Sequence, residues 1–473
     1  MNPPSASGTS RRDLLKTLGL GGVAGLVGTR ASLADETVSR PAGKVRGIVY
    51  MVSDGMSPGV LTLAEKWSQL ARGRGTKWWE LYNDRSVARG LMDTASANSM
   101  VTDSAAASSS WGGGRRVNNG SINIDPQGHD LTPFLKLLRE KGGLTGLVTT
   151  ATVTHATPAG FAANHADRND EQAIAPQYLG RVDVVLGGGS GYFEAKNRKD
   201  GRDLHDEFVK AGYQHVSDRD SLLAAKSAKL LGTFHPGHLP YSIDRDHDAA
   251  LAAKVPTLAE MATAALSRFL ADDRPFLLQV EGARIDHAAH FNDIGGLLGD
   301  QLAFDDALAT VLAMTAGRDD ILVVATSDHG NSNPGLNGMG SAYTESTRDF
   351  ETIRRIRCSH ERVFQRWLGV KQKNVEAFTA LVEETHGFKL KPDEAQVIVD
   401  KMAGKKVLEW NHQLNKPEGI IGQIVGNHTG IGWTGTTHTT DPTLVTAVGP
   451  QAERFAGIVV NTDVNEHFRE LLL

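Results

Sequence analysis

Short apolar, β-branched runs recur along this chain, separated by stretches whose apolar residues repeat every three or four positions. The runs are Val45–Ser53, Gly143–Thr150, Val182–Leu186, Phe276–Val280, Ile321–Ser327 and Leu444–Val448, and their length and composition predict buried strands. Between them, Leu131–Glu140, Leu204–Ala211, Leu258–Leu270 and Leu297–Met314 carry the spacing of amphipathic helices. Strands alternating with helices predict an α/β fold, a mostly parallel central sheet sandwiched by helices. The interval 331–427 breaks the rhythm. It is rich in charge and helical periodicity (Asp349–Leu368, Val375–Glu384, Pro392–Ala403) and offers little that resembles a central strand. It is read as a helical insertion within a main domain made of residues 35–330 and 428–473.

Open sheets of this kind bind ligands at the carboxyl ends of their strands, and the residues there share one chemistry. Asp54-Gly55 follows the first run, and His155-Ala156-Thr157-Pro158 stands a few residues beyond the second. The fourth run ends at Glu281, with Asp286, His287 and His290 beyond; Asp328-His329 follows the fifth, and His438 precedes the sixth. Carboxylate oxygen and imidazole nitrogen are the donors that a divalent cation such as zinc or magnesium takes. Asp286 and His290 are four apart and share a helical face, so they can grip one ion. Glu281, still on the strand end, points elsewhere and can serve a second. So many such endings on one rim predict a site for more than one ion.

Residues Thr102–Trp111 read TDSAAASSSW. Asp103 and Ser104 open an Ala-rich stretch of high helix propensity, with Thr102 as the expected N-cap. The Ser104 hydroxyl then sits at a positive helix end, a natural cradle for phosphate. Serine is a poor nucleophile by itself; a metal on its oxygen favours the alkoxide without a histidine base. A rival lies at Gly55-Met56-Ser57-Pro58-Gly59, which fits G-x-S-x-G after a strand. Pro58 spoils the strand-to-helix turn and removes an oxyanion N–H, and that reading leaves the carboxylates and histidines without a role.

The formal net charge is −5 and evenly spread, so no basic field argues for nucleic acid. Cys358 is the single cysteine, which excludes an internal disulfide. Residues 1–34 read as a twin-arginine signal peptide. Arg11-Arg12 stands in a basic start, a Gly-rich apolar segment follows, and Ser32-Leu33-Ala34 offers a small-x-small cleavage site. Export to the periplasm or beyond is the expectation, and no later segment reads as a membrane span.

Together these motifs resemble the zinc-dependent, serine-nucleophile alkaline phosphatases of bacteria and animals. The resemblance rests on Val52-Ser53-Asp54-Gly55, Thr102-Asp103-Ser104-Ala105-Ala106, His155-Ala156-Thr157-Pro158 with Ala166-Asp167-Arg168, Val280 to His287, Ser327-Asp328-His329 and Thr437-His438-Thr439. They stand in the family's order across most of the chain. The resemblance implies Asp286, His290 and His438 as ligands of one zinc, and Asp54, Asp328 and His329 as ligands of a second that also holds Ser104. It implies Glu281 and Thr157, with Asp54 bridging, as a magnesium site. Arg168 would grip two phosphate oxygens as a fork, oriented by Asp103. His155 and His287 stand where bacterial members often carry Asp and Lys, as in the animal enzymes, and are read as hydrogen-bonding neighbours of the ligands. His287 would leave the pocket less positive at high pH than lysine, with weaker phosphate retention, and His155 leaves the third metal's identity open. The implied reaction is hydrolysis of small phosphate monoesters of broad range through a phosphoserine. A phosphodiesterase, a sulfatase or a silent phosphate or metal scavenger are the alternatives. Family members are often homodimers, which is the ground for expecting one here.

Overall fold

All six apolar runs form strands of one ten-stranded sheet in the computed structural model, which describes residues 44–473. The expected signal peptide lies outside the described residues. In chain order the sheet strands are β1 (Gly47–Ser53), β2 (Ala88–Asp93), β3 (Leu144–Thr152), β4 (Val184–Gly188), β5 (Gln214–Val216), β6 (Leu230–Thr233), β7 (Phe276–Gly282) and β8 (Ile321–Thr326). Four two-residue strands follow: β9 (Gly330–Asn331), β10 (Gly335–Leu336), β11 (Ile431–Gly432) and β12 (His438–Thr439). The sheet is completed by β13 (Thr443–Val448) and β14 (Gly457–Val460). The order across it is β14-β2-β13-β8-β1-β7-β3-β4-β6-β5. Strands β2, β5, β6 and β14 were not expected. Three of them span four residues or fewer, too short for a period to register, and β2 (ARGLMD) is only partly buried.

Alternation along the central strands divides the interior into two cores, one on each face of the sheet. On β1, Val49 and Met51 join one cluster while Ile48, Tyr50 and Val52 join the other. On β8 the sets are Ile321, Val323 and Ala325 against Leu322 and Val324. The first face is covered by the helices Leu258–Leu270 and Ile294–Met314, which supply Met261, Leu266, Leu297 and Leu308. The second is covered by Ser104–Gly113, Ala156–Ala162 and the C-terminal helix Asp463–Leu472, which supply Trp111, Phe161 and Phe468.

Every pairing in the large sheet is parallel except those of β13, which runs against both β8 and β2. The consequence is local. The start of β13, not its end, lies at the carboxyl rim of the others, and His438 just before it is delivered there. The chain leaves β8 and returns to β13 through two small antiparallel ladders, β9 with β12 and β10 with β11. These clamp the ends of the 331–427 block, which carries the helices Ser346–Glu351, His360–Leu368, Val375–His386, Pro392–Met402 and Pro417–Thr429. Its Phe350, Ile353, Val363 and Trp367 belong to the same buried cluster as Leu297 and Leu298. The single helix expected over Asp349–Leu368 is broken before His360. There the Asp244 carboxylate accepts from the Ser359 backbone N–H (2.8 Å) and hydroxyl (2.6 Å), and Ser359 caps a new helix. Among the described residues no helix is long and apolar enough to cross a membrane.

Candidate metal and phosphate site

The carboxyl ends of β8, β1, β7 and β3 are adjacent, and the candidate residues project from just beyond them. Asp54 follows β1, Asp328 and His329 follow β8, and Glu281 is the penultimate residue of β7. All four are fully buried. Asp286 and His290 lie on the helix Arg284–His290, and His155 and Thr157 open the helix after β3. Gly55 makes the crowding feasible. Its φ is +66°, and a Cβ there would stand 2.4 Å from an Asp286 carboxylate oxygen, so only glycine fits the turn.

Three sets of donor atoms converge: Asp286, His290 and His438; Asp54, Asp328 and His329; and Asp54, His155 and Glu281. In the first, His290 Nδ1 donates to the Thr436 carbonyl (2.8 Å) and His438 Nδ1 to the Thr102 carbonyl (2.9 Å). A carbonyl only accepts, so each Nδ1 carries the proton and each neutral ring presents a lone pair at Nε2. Those two Nε2 atoms face each other at 3.0 Å, with Asp286 oxygens 3.3 and 3.5 Å away. Two acceptors and a carboxylate aimed at one point fit a cation. Without one, a proton takes its place on His290. Burial opposes that charge, but Asp286 outweighs it and the pKa rises to about 9. His438 falls to about 4, through burial and then the His329 charge.

The second set shows the same signature. Asp328 Oδ2 lies 3.1 Å from His329 Nε2 and Asp54 Oδ1 3.8 Å from the same nitrogen, and neither buried oxygen has a hydrogen bond of good geometry. Buried donors and acceptors are normally paired, so these unpaired oxygens fit a cation held between them. Burial first, and then the charges of Asp328, Asp286 and Glu281, push Asp54 well above the usual carboxylate range. In the third set burial lifts Glu281 to about 7, against a 2.5 Å hydrogen bond donated by Thr149. Its Oε1 is unpaired. Thr157 donates to Asp54 Oδ2 over 3.4 Å. His155, read from the sequence as a neighbour of the ligands, brings a ring nitrogen into this set.

Ser104 is the first residue of its helix and is buried, its hydroxyl 3.1 Å from His329 Nε2. The N-cap is Asp103, not Thr102 as expected. The Asp103 backbone is extended and its carboxylate accepts from the Ala106 N–H at 2.9 Å, whereas Thr102 donates to the Asp103 carbonyl. The other Asp103 oxygen accepts from Arg168 at 3.1 Å, and the second Arg168 nitrogen lies 3.2 Å from His155 Nε2. The fork is therefore tied to the residue that precedes Ser104. His287 accepts at Nδ1 from Arg284 (2.7 Å), which leaves an N–H at Nε2. Its ring is 5.4 Å from that of His155 and 4.5 Å from that of His238. Ser57 is not exposed as an elbow nucleophile: its hydroxyl is buried and exchanges hydrogen bonds with the Asn331 backbone.

Three neighbours escaped the sequence reading. His238 lies in a His-Pro-Gly-His-Leu-Pro loop outside every motif quoted, and Asn331, which donates to Asp286 at 2.7 Å, follows a motif without belonging to it. Arg284 lies inside the quoted Val280–His287 motif, but its buried stack on Tyr241 and its ion pair with Glu361 have no local sequence signal.

Comparison with known proteins fits this geometry. A family model described as alkaline phosphatase matches residues 45–472. Alkaline phosphatases 3 and 4 of Bacillus subtilis are 30% and 32% identical, each over 89% of this chain and 87% of the relative. The crystal structure of Thermus thermophilus alkaline phosphatase superimposes with a TM-score of 0.85 at 34% identity, covering 91% of both chains. The chain belongs to the alkaline phosphatase family and is a metal-binding phosphomonoesterase.

Proposed function

We propose that the protein hydrolyses a broad range of phosphate monoesters through a phosphoserine at Ser104, with two zinc ions and one magnesium. The observation that carries this reading is the Ser104 hydroxyl 3.1 Å from His329 Nε2 of the Asp54–Asp328–His329 set, with the Arg168 fork bonded to the neighbouring Asp103. Asp286, His290 and His438 would hold one zinc, and Asp54, Asp328 and His329 the other. Asp54, Glu281 and Thr157 would hold magnesium, with His155 in reach as a further donor. When bound, the ions supply Lewis-acid stabilisation of the attacking and leaving oxygens and lower the pKa of an oxygen they contact.

The chain's own residues do the rest. Arg168 binds two non-bridging oxygens of the monoester, and the free N–H groups at the start of the Ser104–Gly113 helix face the same anion. Ser104 Oγ attacks phosphorus in line, its proton passing to solvent. The ester P–O bond breaks, the leaving oxygen takes a proton from solvent and departs as the alcohol, and phosphate remains on serine. Water then attacks the phosphoserine on the opposite side and restores the Ser104 hydroxyl with release of phosphate. His287, neutral and presenting an N–H, adds a weak donor to the pocket. No side chain in the site reads more than the phosphate, which favours broad specificity. A homodimer rests on the resemblance alone. Periplasmic or secreted location by twin-arginine export rests on the sequence of residues 1–34, Arg11-Arg12 with the apolar segment and cleavage site that follow, and Arg11→Lys with Arg12→Lys would keep the protein in the cytoplasm.

The test is p-nitrophenyl phosphate hydrolysis near pH 10 by wild type and Ser104→Ala, before and after EDTA and with zinc and magnesium restored. Turnover that needs both Ser104 and metal supports the reading. Preference for the bis-ester would move it to a phosphodiesterase, and acyl-ester cleavage indifferent to EDTA would return attention to Ser57.

A further inference from the structure

Arg168 and Asp103 converge on a third element that no motif above includes, the turn at exposed Asn119 and half-buried Gly120. Its contacts form a closed set. Asn119 Oδ1 accepts from the Asp103 backbone N–H at 3.1 Å, and Asn119 Nδ2 donates to the Val101 carbonyl at 2.9 Å. The Gly120 N–H donates to Asp103 Oδ2 at 2.9 Å, the same oxygen that accepts from Arg168. The Gly120 carbonyl accepts from the Arg168 backbone N–H at 2.8 Å. A further bond, from the Asn119 N–H to Asn98 Oδ1 at 3.0 Å, ties the turn to the start of the Ser104 loop. Gly120 has φ +89°, which favours glycine at this place.

We propose that the Asn119-Gly120 turn is the positioning element of the phosphate fork. It fixes the backbone of Arg168, the backbone of Asp103 and the Asp103 carboxylate oxygen that orients the guanidinium, all from one point. The role follows from chemistry as well as proximity. Arg168 is a long, flexible side chain whose value to a phosphoryl group lies in holding two donors at fixed spacing. Asp103 also caps the Ser104 helix through its other oxygen, so one carboxylate sets nucleophile and fork in a common frame. The turn keeps that carboxylate from rotating between its two tasks. The side-chain hydrogen bonds of Asn119 go to main chain, at Asp103 and Val101, and it therefore acts through Asp103 and Arg168.

This inference rests on the proposed roles of Ser104 and Arg168. The experiment compares wild type, Asn119→Ala, Arg168→Ala, the double variant and Ser104→Ala, all metal-loaded, with kcat and KM for p-nitrophenyl phosphate and Ki for inorganic phosphate. Asn119→Ala is expected to raise KM and Ki about tenfold, the scale of a lost orienting contact, with melting temperature unchanged because Asn119 is exposed. In the Arg168→Ala background the same substitution should change little, since the residue it positions is gone. Asn98→Ala, which loosens the turn from outside, should give a smaller effect of the same kind and serves if Asn119→Ala fails to fold. Equal losses in both backgrounds, or no change in KM and Ki, would overturn the proposal. An active Ser104→Ala would instead overturn the reading beneath it, and an inactive one with unaffected Asn119→Ala would remove the positioning role alone.

Discussion

Asp54 is the residue on which two of the three donor sets depend, and its substitution has an effect that changes sign with metal. In the metal-free protein, Asp54 is fully buried among Asp328, Asp286 and Glu281, one oxygen unpaired, and its pKa is raised by burial and by those charges. The native state therefore binds more protons than the unfolded chain once pH exceeds the ordinary carboxylate value, and ionising Asp54 at pH 8 costs stability. Asp54→Asn removes that charge, keeps the shape and keeps an acceptor for Thr157. Relief of an unpaired buried carboxylate is worth on the order of 2–3 kcal/mol. At about 2.1 cal/mol/K per residue, the roughly 430 described residues unfold with an entropy near 0.9 kcal/mol/K. The metal-free variant should thus melt about 2–3 °C above wild type.

With metal present the sign reverses. Loss of a charged ligand weakens each of two sets by about a hundredfold, or ~2.7 kcal/mol apiece at 1.36 kcal/mol per decade. Linkage adds that loss to the gain of the metal-free variant, a net deficit of roughly 2.4–3.4 kcal/mol, and the loaded variant should melt about 3–4 °C below loaded wild type. Circular dichroism melts at pH 8 of both proteins, each with chelator or with zinc and magnesium, read all four values. A variant that destabilises equally in both states would refute the assignment of Asp54 to the ion sites and leave it as an ordinary buried hydrogen-bonding residue.

Further expectations concern the same region. In metal-free wild type, Glu281 (pushed up to about 7) and His290 (up to about 9) are both raised. Below about 6.5 the depressed His438 (down to about 4) offsets Glu281, so stability should fall as pH rises from about 6.5 through 9, where the folded state holds the extra proton of His290; a urea midpoint flat across that range under EDTA would contradict this, and added metal should abolish the slope. Arg168→Lys keeps the charge but loses the fork, so KM and phosphate Ki should rise by about one order of magnitude or more; steady-state kinetics unchanged from wild type would count against phosphate contact. Gly160→Ala would place a Cβ 2.2 Å from the Ser108 hydroxyl, wedging apart the helices that carry Ser104 and Thr157. Overpacking of this kind costs about 1–3 kcal/mol, and a variant with wild-type melting and turnover would show that the two helices tolerate separation.

Pattern along the chain located the central strands because β1, β7 and β8 are buried on both faces and read as predominantly apolar runs. The same property hid their direction. An apolar run reads alike forwards and backwards, so nothing in Thr443–Val448 announced that β13 is the antiparallel strand, although that reversal is what puts His438 on the rim. Residues within motifs were legible because several donors stand close together in sequence, as with Asp286 and His290. His238 and Asn331 were not, since each is a polar side chain outside the motifs, given meaning by a distant element. The helix cap was misplaced by one residue because Thr102 and Asp103 are both good caps and only the backbone path chooses between them. Deepest in the site, the groups that fix the tautomers of His290 and His438 are the carbonyls of Thr436 and Thr102. Every residue type supplies a carbonyl, so these partners leave no trace in composition or spacing. They follow from the path of the chain alone: β12 paired to β9 carries His438 to the Ser104 loop, and that loop meets it with main chain.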